Sequence, residues 1–112
     1  MSMHMQLTVK VNPYYEKSLE GTYSKLGRCL RHIDEDLASR NPSLYELAGQ
    51  VDLLLYRFDG TQLRDVLLPY KDKLRDIHNA IQENIAVWNL AQADKLLYSL
   101  EDIFDAIESN LA

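Results

Sequence analysis

The feature that most constrains this chain is an apolar stripe near its C-terminal end. It runs through Leu90, Ala93, Leu97, Leu100, Phe104, Ile107 and Leu111, in alternating steps of three and four residues. Only a helix gathers such positions on one face. A second stripe precedes it at Leu63, Val66, Leu67, Tyr70, Leu74, Ile77, Ile81, Asn84 and Trp88. Asn89 alone separates the two, so the helices must fold back as an antiparallel hairpin. Asn89 suits an N-cap, and Gln92 three residues on completes a pair of the capping-box kind.

Two more stripes lie upstream. The first passes through Leu19, Tyr23, Leu26, Leu30, Ile33 and Leu37. Asn12-Pro13 offers it an N-cap and a favoured first helical position, and Asn41-Pro42 stops it near Ser39. Gly21 and Gly27 lie inside it, each costing about 1 kcal/mol against alanine. They suit a close approach of a neighbouring element, or a break at Gly21. The next stripe is Leu44, Leu47, Ala48, Val51, Leu54, Leu55 and Phe58, with Ser43 as its cap. Thr61 caps the third helix, and Pro69 inside it predicts a kink or a short separate turn.

The chain before residue 12 reads differently. Met3, Met5, Leu7, Val9 and Val11 alternate with polar residues, the pattern of a strand with one buried face. Everything after it is helical, so this strand lacks a partner in its own chain and its edge invites another molecule. The expected fold is a single mainly α domain over residues 1–112. An antiparallel up-down four-helix bundle (13–112) follows an N-terminal strand arm (1–12) that pairs between chains. The alternative is an α+β fold, because Asp59-Gly60 between residues 53–58 and 63–68 is also a hairpin signal. Residues 24–41 and 72–89 align with six identities, as a duplicated helical hairpin would, and that leads to the same bundle.

A length of 112 residues, with 46% hydrophobic and 26% charged side chains, fits one soluble globular domain. The net charge of −5 argues against nucleic acid and against anionic membrane surfaces. Cys29 is the one cysteine, which excludes an internal disulfide and a thiolate zinc cluster. With no leader pattern and no long apolar run, the expected location is cytoplasmic.

No phosphate loop, nucleophile elbow or paired-histidine metal motif occurs, so no catalytic residue, cofactor or metal is expected. The nearest metal pattern is His32, Glu35 and Asp36, and it reads as a solvated face. Arg28 and Arg31 flank Cys29 and favour its thiolate, but a small apolar residue at a helix seam accounts for it as well.

Seven tyrosines stand against two phenylalanines. Tyrosine suits boundaries and interfaces, with its ring buried and its hydroxyl wet. Tyr14 and Tyr15 flank the strand; Tyr56 and Tyr98 fall off the stripes. The predicted dimer interface is therefore Met5, Leu7, Val9, Val11, Tyr14, Tyr15, Tyr56 and Tyr98. No Lys or Arg follows Lys95, whereas Glu101, Asp102, Asp105 and Glu108 do. Such acids oppose the dipole of their own helix and form a candidate patch for a basic partner.

In size, acidity and helical content the chain resembles flagellar and type III export chaperones. The resemblance implies a helical partner-binding protein and assigns no residue a role. The expected function is a non-catalytic protein–protein interaction module, adaptor- or chaperone-like, acting as a homodimer with one further protein partner. A small acidic inhibitor or immunity-type protein is the alternative, and a metal-binding or enzymatic bundle the third.

Overall fold

The computed structural model describes residues 8–13, 15 and 18–112. The fold is mainly helical, and the four stripes build its core. Leu19, Leu26, Leu30, Leu47, Phe58, Leu63, Leu74, Ile81, Leu100, Phe104 and Ile107 are all buried in one cluster. Helix α4 (Leu44–Gly49) and α5 (Val51–Arg57) follow one another, with the chain leaving helical geometry at Gln50. Helix α6 (Gln62–Leu67) passes through a 3-10 turn at Leu68–Tyr70 into α7 (Lys71–Ala86). The turn is the interruption Pro69 predicts. Helix α8 covers Leu90–Asn110.

Three rods result, and each runs against the next. Tyr45 stacks on His78, while Asp52 further along α5 meets Arg75 and Lys71 earlier in α7. The α4–α5 rod is therefore antiparallel to α7, and α8 returns along α7 after a tight turn. Residues 53–68 are helix, turn and helix, so the hairpin alternative is excluded. Gly60 still makes the turn, at φ +81°, but it joins helices.

The first expected helix is where the sequence reading fails. Residues 13–39 do not form one rod. The described part of this segment holds α1 (Leu19–Thr22), α2 (Ser24–Ile33) and α3 (Glu35–Ser39), broken at Tyr23 and Asp34. Asn12-Pro13 starts no helix; Ser18 caps α1 by accepting from the Gly21 amide at 3.0 Å. Asp34 caps α3 through the Leu37 amide at 3.1 Å. Helix α1 folds back on α2 so closely that a Cβ on Gly27 would lie 2.7 Å from the Glu20 Cα. Asn41, at φ +52°, turns its side chain to the Leu19 amide at 2.7 Å and ties the end of α3 to the start of α1. Helix α2 begins beside the last turns of α8 and advances in the same sense, so the up-down order fails for this segment. The aligned repeat has no counterpart either: α7 runs unbroken where its match, α2–α3, breaks at Asp34.

The N-terminal strand is only partly within view. Met3, Met5 and Leu7 lie outside the described residues, as does Tyr14. Among the described residues no strand occurs. Burial nevertheless alternates: Val9 and Val11 are half-buried, and Thr8, Lys10 and Asn12 are exposed. Val11 packs against the core. Of the described part of the period-2 pattern, Val11 thus faces the helices.

Candidate functional site

The stripes of α7 and α8 continue beyond the point where other helices cover them. From Ala86 to Gln92 every residue is exposed. Val87 is 73%, Trp88 54% and Leu90 41% accessible. The periodicity placed Trp88 and Leu90 on core faces; the structure leaves both at a projecting helical tip. Helix α4 contacts α7 near His78 and lies across the cleft from Leu97 of α8.

The backbone of this tip is closed by a Schellman motif. Asn89 N–H donates to the Asn84 carbonyl at 2.8 Å, and Trp88 N–H to that of Ile85 at 3.0 Å. The motif needs a left-handed residue after the helix, normally glycine. Here Trp88 occupies it, at φ +61°. A bulky side chain in that region is an outlier that costs free energy. The capping box expected at Asn89 does not form, because its side chain makes no cap hydrogen bond. Its backbone N–H serves the end of α7 instead.

A concave feature lies one turn along α8. A cleft of about 460 Å³ opens between residues 11–13 with Tyr15, α4 and α8. Tyr15, Tyr23, Tyr45 and Tyr98 border it, together with Asp94 and Glu101. The Tyr15 hydroxyl donates to the Pro42 carbonyl at 2.7 Å, and that of Tyr23 to Asp105 Oδ1 at 2.8 Å. Burial, reinforced by neighbouring carboxylates, holds both phenols well above the usual tyrosine range. For Tyr15 those neighbours are Glu46 and Glu101; for Tyr23 they are Asp105, which also accepts its hydrogen bond, and Glu101.

The residues singled out in the sequence are not brought into one surface. Tyr56 is exposed on α5 beside Leu53, and Tyr98 is exposed at the cleft. Glu101 and Asp102 are exposed, but the other half of the acidic patch is occupied internally. Asp105 accepts from Tyr23, and Glu108 accepts from the amides of Lys25 and Leu26. Burial pushes the Cys29 thiol up against the pull of Arg28, the opposite of activation. His32, Glu35 and Asp36 are exposed at the junction of α2 and α3. Among the described residues no group of three His, Cys, Asp or Glu side chains is arranged to hold a metal ion. None of the described helices is long and apolar enough to cross a membrane.

The tip could have been found from one signal: a Trp-Asn pair, with no glycine, at a turn too short for a loop. Compared with protein-family models, curated proteins and solved structures, the chain matches none of them.

Proposed function

We propose that this protein is a non-catalytic protein-binding module, adaptor- or chaperone-like, that engages its partner through the α7–α8 tip. The carrying observation is Trp88: a large aromatic side chain held exposed in a strained backbone state where glycine would be easier. Strain that persists against local preference marks a functional constraint. Val87 and Leu90 extend the same surface, and exposed apolar clusters with a tryptophan are typical of binding centres. The test is photo-crosslinking in the source cells from positions 87 and 90, with position 72 on α7 as control. A discrete crosslinked protein from 87 and 90 alone supports the reading. An identical pattern from all three positions counts against it.

A second reading concerns self-association. The alternating burial of Val9 and Val11 supports an arm whose apolar side lies on its own helices while its edge pairs with a second copy across a two-fold axis. Light scattering on the full chain and on one starting at Pro13 separates the cases. A dimer that becomes a monomer on truncation supports pairing through the arm; two monomers rule it out.

A further inference from the structure

We propose that the cleft between residues 11–13 with Tyr15, α4 and α8 binds lysine or arginine side chains from a basic segment of a partner protein. This site is separate from the tip and does not depend on it. Aromatic faces attract a cation through the ring quadrupole, and nearby carboxylates add charge attraction. The cleft supplies both. Tyr15, Tyr45 and Tyr98 border it with half-buried or exposed rings, Tyr23 lines it from a buried position, and Asp94 and Glu101 stand two turns apart on α8, about 10 Å along the axis. Tyr98 lies between them on the same face. Among the described residues that line the cleft, none is Lys, Arg or His, so no described basic side chain of the lining neutralises those acids.

The walls are pre-set. Tyr15 and Tyr23 are pinned through their hydroxyls to Pro42 and Asp105, and Tyr45 rests on His78 with ring centroids 4.4 Å apart. Rings fixed before binding lose little freedom when a ligand arrives. The field is also of the required sign. Beyond burial, which is the larger cause, the charge of Glu101 disfavours ionisation of both Tyr15 and Tyr23. A volume of about 460 Å³ lies within the range that takes a few side chains or a small ligand. Tyr98 and both acids are exposed, which suits a segment laid along α8 rather than a molecule sealed inside.

The experiment is nuclear magnetic resonance titration of the full chain with acetyl-Ala-Lys-Ala-Lys-Ala-amide. Two comparison probes are the same peptide with acetylated lysines and free spermidine. The expected result is shifts in the ring signals of Tyr15, Tyr45 and Tyr98 with the basic peptide. The acetylated peptide should leave those signals in place. The variants Tyr98→Ala and Asp94→Asn/Glu101→Gln, altered only at exposed positions, should each weaken binding about tenfold or more. Three outcomes would overturn the proposal: no shift with the basic peptide, equal shifts with the acetylated one, or tighter binding of spermidine than of the peptide.

Discussion

Glu108, near the end of α8, accepts from the backbone N–H of Leu26 at 2.9 Å through one carboxylate oxygen. Its other oxygen accepts from Lys25 N–H at 2.8 Å. Helix α2 starts at Tyr23, which provides no side-chain cap. A residue from a distant helix therefore satisfies its free amides. Negative charge is disfavoured at the end of α8 and favoured at the start of α2, and at Glu108 the second effect offsets the first.

Removing that carboxylate leaves two half-buried amides without partners. Glu108→Ala is expected to destabilise the fold by about 1–2 kcal/mol, the usual cost of a lost helix cap. Glu108→Gln should lose less, since one oxygen remains to accept. Asp102→Ala, at an exposed position, should stay within about 0.5 kcal/mol of the parent. Urea denaturation of the three variants ranks them, and an equal effect of the 102 and 108 changes would refute the cap.

Gly27 governs the fold of α1 onto α2. In a free helix, Gly→Ala gains about 1 kcal/mol. At Gly27 the added methyl meets the Glu20 backbone, not a flexible side-chain end. Gly27→Ala should therefore destabilise by about 1–3 kcal/mol, in the range of overpacked sites. It should also release the Glu20–Arg31 ion pair, which is 2.8 Å long in the folded protein. Chemical denaturation gives the sign: a stabilised variant would mean that α1 does not pack there.

Tyr15 and Tyr23 predict a loss of stability in alkali. Burial, aided by nearby carboxylates, raises both above the ordinary value of 10.0, so the folded state holds these protons more tightly than the unfolded chain. Their contribution is complete below pH 10.0 and is lost as pH rises through the folded-state values. Tyrosinate absorbance should thus reach completion only where far-ultraviolet circular dichroism collapses. Tyr23→Phe should make the alkaline decline shallower. Completion of the tyrosinate signal in the still-folded protein would contradict this account.

Much of the core could be read from the sequence, because apolar spacing reports which side chains turn inward. Leu26, Leu30 and Leu37 are buried as the first stripe requires. Spacing does not report whether the helix carrying them is straight. Three short helices folded against one another satisfy the same steps of three and four as one rod. The break at Asp34 had a local signal: an aspartate followed by Glu35 and Asp36 is a helix start, and it competes with continuation. The role of Glu108 left none, since its partner amides lie over 80 residues away in sequence. Helix periodicity also cannot say where coverage ends. Trp88 and Leu90 fit their stripes, yet both are exposed.

Trp88 offers the sharpest separation of stability from function. In the Schellman turn at the end of α7 its φ of +61° is a state that glycine adopts without steric cost and a bulky residue does not. Its side chain is 54% exposed, so truncation to glycine or to alanine also gives up the covered remainder, and a comparison of the two small variants isolates the strain. Trp88→Gly should therefore exceed Trp88→Ala in stability by about 1 kcal/mol, from relief of the left-handed strain. Trp88→Ala loses the same covered area but keeps a Cβ in that state. Both should lose the crosslinks formed from position 87. Thermal or urea unfolding of the two variants, paired with the crosslinking readout, tests the two halves separately. A glycine variant no more stable than the alanine variant would mean that position 88 carries no left-handed strain, and the case for Trp88 as a binding residue, which rests on that strain, would fall with it.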